Sequence, residues 1–261
     1  MMLGGVTRFM LKGWVADLYV KPAFYFTYYG FEWVKPLGET GMHTLFFLMG
    51  FAALMMSLGF LYRFSAIAFF LSFTYVELID KSNYLNHYYF VSIIAFLMIL
   101  LPAGNYFSID TLIRPAKKAT HVPRWCILII QFQLGIVYFF AGISKLNPDW
   151  LLRAQPLRTW LPPHTNLPVI GYFMDKLWIA YFFSWFGAVY DLCIPFMLCF
   201  KKTRKLAYFL VLVFHILTAM LFQIGMFPYV MIVCTLIFFP EAFHLKIIGR
   251  IKKLVQHVSK K

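Results

Sequence analysis

The chain has 261 residues, of which 62% are hydrophobic and 13% charged, and its mean hydropathy is +0.73. A soluble domain is about 45–50% apolar and about 25% charged, so this composition excludes a soluble globular domain, a disordered chain and a nucleic-acid-binding module. The net charge of +14 comes from short basic clusters between apolar stretches, a pattern of membrane topology rather than of a DNA footprint.

Residues 1–11 are too short to cross a bilayer and show no signal peptide with a small-residue cleavage site. From Gly4 to Leu11 they read as the last part of a helix whose beginning is missing, with a short interfacial helix as the alternative. Residues 14–40 are rich in Tyr, Phe, Trp and Pro, which favour the headgroup zone. Seven apolar segments follow, at about 42–62, 64–79, 88–101, 126–143, 177–200, 205–223 and 227–240. A spanning helix needs roughly 20 apolar residues. The third and the last are short, which local thinning of the bilayer accommodates. The runs are continuous rather than alternating, which excludes a closed barrel. The expected fold is all-α, a polytopic transmembrane helical bundle of about seven spans plus a partial N-terminal helix. It divides into a transmembrane domain over 1–245 and a basic amphipathic tail over 246–261. No internal repeat or low-complexity tract interrupts it, which gives a transporter little weight.

The basic residues test this topology. The connections after the first, third and fifth segments, with the C-terminal tail, hold 15 of the 24 lysines and arginines. The other connections hold 5, namely Lys81, Lys145, Arg153, Arg158 and Lys176. The basic side is expected to face the cytoplasm, with the C-terminus there and the connections carrying Lys81 and Lys145 exoplasmic. The four cysteines, Cys126, Cys193, Cys199 and Cys234, have no CxxC spacing, so neither a zinc site nor a disulfide framework is indicated.

Polar residues that a lipid-facing helix would not keep collect in three places, and such residues mark functional or packing sites. The first is the stretch from Glu77 through Asp80 and Lys81 to Asn86 and His87. Glu77 and Lys81 are four apart and can pair on one helix face. His87 can shuttle protons near neutral pH. The plainer reading has Asn86 and His87 capping a helix. The second is Gly142-Ile-Ser144-Lys145-Leu-Asn147-Pro148-Asp149-Trp150, where Asn-Pro-Asp forces a turn. Lys145 then sits at a last helical turn, either snorkelling to the surface or desolvated and available as a base. The third is inside the bundle, where Asp191 and His215 lie mid-span and need partners, each other among the options. Gly225 and Pro228 suit a tight turn between the last two segments.

These stretches resemble the membrane domain of the vitamin K-dependent gamma-glutamyl carboxylase family, the horizontally transferred transmembrane (HTTM) group. The matching sequences are YVELIDKSNYLNHYYF (75–90), YFFAGISKLNPDW (138–150) and FHILTAMLFQIGMFPYVM (214–231), with LLPAGNYFSID (100–110), HVPRW (121–125) and AVYDLCIPFML (188–198) between them. The resemblance covers nearly the whole chain and is greater to bacterial members, implying a bacterial inner membrane.

The resemblance implies coupled chemistry. Reduced vitamin K (the hydroquinone) reacts with O2, and the resulting strong base removes a gamma-proton from a peptide glutamate, which then adds CO2. It places the catalytic lysine on Lys145 and the family's Asn-His pair on Asn86 and His87. Asp191, His215, Glu77 and Asp80 stand as secondary polar candidates, and no metal is implied. The implied partners are the lipid bilayer, a lipophilic quinone and a glutamate-containing peptide or protein. The chain departs from animal members at Ser144, where they carry a second lysine. Known carboxylases also continue well beyond the membrane domain, so a missing C-terminal half or partner subunit is a further expectation. The alternative is a truncated or non-catalytic HTTM protein that binds quinone or lipid or acts as an accessory subunit.

Overall fold

The computed structural model describes residues 2–222 and 224–258, and among them all regular structure is helical. The chain forms two compact units, one over 1–126 and one over 127–261. Of the expected features, Met1, Gln223, Lys260 and Lys261 fall outside the described residues.

The first unit holds α1 (Met2–Leu11), α2 (Trp14–Tyr19), α3 (Gly38–Leu58), α4 (Tyr62–Ile79), α5 (Asn86–Leu100) and α6 (Ile109–Ile113). Its core joins Met42, Phe46 and Met49 of α3 to Phe69, Val76 and Ile79 of α4, with Val91 and Ala95 of α5. The N-terminal segment is not a free interfacial helix. Val6 is buried in this core, and the Phe9 ring stacks on Phe46 at 5.7 Å. α3 ends in a left-handed cap at Gly59, φ 63°, whose N–H donates to Met56 O while Phe60 N–H reaches Met55 O at 2.9 Å. Only glycine fits there, because a Cβ would collide with Ser108 as well as strain the backbone.

Two sets of contacts fix the ends of this unit. At one, Asp110 Oδ1 and Oδ2 accept from the Leu61 and Tyr62 N–H groups, both at 2.9 Å, tying the α3–α4 turn to the segment after α5. At the other, Asp80 Oδ1 accepts from Phe26 N–H at 3.2 Å and Ser82 N–H at 2.9 Å, and Tyr75 OH donates to Lys35 O at 2.5 Å. The aromatic-rich stretch after α2 is thereby fastened to the α4–α5 connection.

The second unit holds α7 (Trp125–Ser144), which begins at the boundary, then α8 (Pro148–Arg153), α9 (Leu157–Trp160), α10 (Leu177–Cys199), α11 (Arg204–Leu221), α12 (Phe227–Cys234) and α13 (Glu241–Val258). The segment between α7 and α10 folds back along the first half of α10. Trp185 Nε1 donates to Leu151 O at 3.0 Å and Tyr181 OH to Leu152 O at 2.8 Å. Leu157, Leu161 and Met174 of this segment share a core with Ile179, Ala180 and Leu221.

Five helices, α3, α4, α7, α10 and α11, are long and apolar enough to cross a membrane, and a sixth span results if the bent pair around Pro240 counts as one. The protein is an integral membrane protein of the all-α class. The sequence count of seven includes the two segments already read as short, and their shortness has physical causes. α5 stops at Leu100 because Leu101 precedes Pro102 and is held extended, φ −85° and ψ 142°. α12 tightens into a 3-10 turn, Thr235–Phe238, and the chain then bends by 117° into α13. Gln131 of α7 donates to Ile237 O at 2.9 Å, satisfying a carbonyl that the broken helix frees. Gly225 with φ 67° and Pro228 in the first turn of α12 make the expected tight connection.

Candidate functional site

α7 closes with two tight turns, Lys145 N–H to Gly142 O at 3.0 Å and Leu146 N–H to Ile143 O at 2.9 Å. The next helix starts at once. Asn147 Oδ1 caps α8 by accepting from Trp150 N–H at 2.9 Å, and Pro148 occupies the first turn, where its missing N–H is no loss. Asn147 Nδ2 also donates back to Ser144 O at 2.8 Å, locking the corner between the two helices. This corner directs Lys145 inward.

The Lys145 side chain is 17% exposed and that of Asp191 is 5% exposed. Lys145 Nζ donates to Asp191 Oδ2 at 2.5 Å and to Ala141 O at 3.1 Å, and it lies 5.2 Å from the centre of the Trp150 ring. The snorkelling reading therefore fails, because the amine turns away from the surface. Trp150 is itself fixed, with Nε1 donating to Ser184 O at 2.8 Å and its own carbonyl accepting from Ser184 Oγ. Removing two charged heads from water costs several kcal/mol per ion in general, so a pair persists only when its geometry and extra hydrogen bonds offset that cost. The Ala141 carbonyl and the Trp150 face supply those extra contacts. α7 and α10 can approach closely here because Gly142 presents no side chain to Leu192, the neighbour of Asp191.

The pair lines a cavity of about 710 Å³. Trp150, Phe183, Phe186 and Phe214 give it an aromatic wall, and Trp160 and His164 also line it. His215, 1% exposed, lies in the wall. Its Nε2 is 3.1 Å from the Tyr138 hydroxyl, which is 3.4 Å from Thr235 Oγ1. His215 Nδ1 is buried with no hydrogen-bond partner. Such an atom is normally satisfied, so its burial here without a partner is a cost the fold carries. The cavity thus offers flat apolar surface for a planar ring system, with an amine–carboxylate pair as its polar handle.

The sequence brought Asp191 and His215 forward as possible partners of each other. The structure gives each a different one, Lys145 for Asp191 and Tyr138 for His215. The remaining candidates lie in the first unit. Glu77 and Lys81 do not pair, since α4 ends at Ile79 and extended Asp80 (φ −146°) takes Lys81 off the helix face. Asp80 is buried and spent on backbone N–H groups, a structural role. Asn86 is exposed and is the first residue of α5, not its cap; the cap position is Leu85, which makes no side-chain bond. His87 packs its ring on Tyr88 at 4.6 Å, with Arg8 of α1 close enough to act on both electrostatically. Nearby, burial raises the Tyr19 phenol above its usual range, and the charges of Glu77 and Asp80 add to the effect.

Sequence reasoning missed Tyr138, Trp150 and Ser184. Trp150 carried a signal, because Asn-Pro-x-Trp is a capped helix start that fixes where its last residue points. Tyr138 carried none beyond lying two turns before Lys145 on α7.

Residues 1–243 match the family model described as the HTTM domain, the domain of the vitamin K-dependent carboxylase family. No solved structure matches the chain.

Proposed function

The chain belongs to the HTTM domain family, and from that premise we propose that it is a membrane-embedded, gamma-glutamyl carboxylase-like protein that holds a reduced vitamin K-type quinone in the cavity of its second unit. The observation that carries this reading is the Lys145–Asp191 pair in the wall of an aromatic-lined cavity. A reduced naphthoquinone with O2 would supply the strong base that takes the glutamate gamma-proton, and CO2 then adds at that carbon.

The fit is supported by residues already described. Trp150, Phe183, Phe186 and Phe214 offer faces for a fused ring, and a cavity of about 710 Å³ falls in the range for a drug-sized ligand. The role of Asp191 is to manage the proton of Lys145. With the proton on Oδ2 the lysine is a neutral amine and can accept a phenolic proton from the bound hydroquinone; with the proton on Nζ it is an ammonium facing the developing phenolate. The low dielectric of the site strengthens that second contact. Asn86 and His87 enter through the family resemblance, and their contributions are read separately in Asn86→Ala and His87→Ala. The basic connections face the cytoplasm in this reading, by the positive-inside rule.

The experiment supplies purified protein with vitamin K hydroquinone, O2, labelled bicarbonate and a glutamate peptide. Epoxide and fixed label are read separately. The reading expects epoxide formation that requires Lys145. Carboxylation of the peptide is a second, separable expectation, because known carboxylases use an extramembrane region for it.

A second reading is a quinone- or lipid-binding HTTM protein without turnover. It is favoured by the fact that the lysine is already engaged by a carboxylate rather than open to the cavity alone. Quinone binding that survives Lys145→Ala, with no epoxide from the wild type, supports it over the first.

A further inference from the structure

The first unit has a cavity of its own, about 690 Å³, at the end where α3 turns into α4 and α5 leads to α6. Arg63, Arg114 and Lys117 line it. None of these three cations forms an ion pair or a side-chain hydrogen bond among the described residues. The only carboxylate in the wall is Asp110, and both its oxygens are taken by the Leu61 and Tyr62 N–H groups. Those bonds, with Lys117 and Arg114 nearby, hold its carboxyl below the usual range, so it stays ionised and its charge offsets one of the three cations. Three cations against one occupied carboxylate leave the cavity positive. Like charges gathered without partners repel one another, and an anion relieves this.

Apart from Asn105 and Tyr62, the rest of the wall is apolar. Phe64 and Ile113 line the cavity and are also exposed, at 72% and 61%, on a membrane protein. The cavity therefore continues into exposed apolar surface. Guanidinium groups pair with phosphate oxygens in bidentate fashion, and lysine adds a point charge. We infer that this cavity binds the phosphate headgroup of an anionic glycerophospholipid, with the headgroup among Arg63, Arg114 and Lys117 and the first acyl carbons against Phe64 and Ile113. Basic pockets between membrane helices recognise such headgroups. The inference is independent of the quinone reading, which concerns the other unit.

Full-length protein, delipidated in a neutral detergent, is titrated with dioleoylphosphatidylglycerol, dioleoylphosphatidylcholine or inorganic phosphate. Retention is read by native mass spectrometry and the thermal midpoint by intrinsic fluorescence. Phosphatidylglycerol is expected to be retained and to raise the midpoint, and neither other ligand to match it. Each charge removed in Arg63→Gln, Arg114→Gln and Lys117→Gln should weaken phosphatidylglycerol binding about fivefold. The three combined should abolish the preference for phosphatidylglycerol, and should that combination not fold, the single variants decide. Equal binding by wild type and variants overturns the inference, as does phosphatidylcholine binding as tightly as phosphatidylglycerol. Inorganic phosphate competing as well as the lipid overturns the lipid assignment in favour of a free-phosphate site.

Discussion

Gly142 of α7 stands so close to Leu192 of α10 that a methyl group on the glycine would lie 2.7 Å from Leu192 Cγ and 2.9 Å from its backbone nitrogen. Gly142 is one turn before Lys145, and Leu192 follows Asp191, so the same contact sets the spacing of the ion pair. Gly142→Ala must push the helices apart. It should destabilise the protein by about 1–3 kcal/mol, the usual range for overpacking. Thermal unfolding in detergent reads this, and adding Leu192→Ala should recover only part of the loss because the backbone contact remains.

Asp191 and Lys145 should behave as a unit. Removing one partner leaves the other charged and poorly solvated, which costs about 3–5 kcal/mol for a buried pair. Asp191→Ala and Lys145→Ala are therefore each expected to be destabilising, while the double variant loses much less than the sum. A double-mutant cycle on thermal or denaturant unfolding measures that coupling. Additive losses would contradict the pairing.

Trp150 joins the helix corner to α10 through Ser184 and shields Lys145 with its ring. Trp150→Phe keeps a ring but loses the Nε1 bond to Ser184 O. Ser184 O keeps its own intrahelical partner, so the lost bond should cost about 0.5–1.5 kcal/mol. Quinone affinity, read by equilibrium dialysis, should fall more in Trp150→Ala than in Trp150→Phe, since only the former removes cavity wall.

Asp110 gives the fold a pH dependence in acid. Its carboxyl is held below the usual range chiefly by the Tyr62 N–H. The group binds its proton more weakly folded than unfolded, so its stabilisation is full above the unfolded value of about 4 and is lost as pH falls through the lower folded value. Asp110→Asn should lower the thermal midpoint at neutral pH and flatten the fall in midpoint on acidification. An unchanged acid profile would argue against the Leu61–Tyr62 contacts.

Much of this architecture is legible in the sequence because a bilayer imposes length and apolarity on every span. The five long helices follow from continuous apolar runs, and the corner at Asn147-Pro148 from its turn chemistry. The span count is less legible, since the segments that stop at Leu101 and Pro240 read as short spans, and hydropathy does not say whether so short a run crosses a bilayer or bends into a neighbouring helix. The partners of Asp191 were not legible either. Its position in mid-span and that of Lys145 at a helix end place them at different depths by sequence, and only the folding back of the segment after α7 brings them together. The aromatic cavity wall is likewise hidden, because its phenylalanines look like any others in a chain with 31 of them.

The most direct test of the central claim is epoxide yield from vitamin K hydroquinone and O2 with purified wild type and Lys145→Ala, compared at equal folded protein and equal bound quinone. Epoxide from the wild type and none above background from the variant is the expected result. Epoxide at the wild-type rate from Lys145→Ala, or none from folded, quinone-loaded wild type, would contradict the assignment of Lys145 as the base.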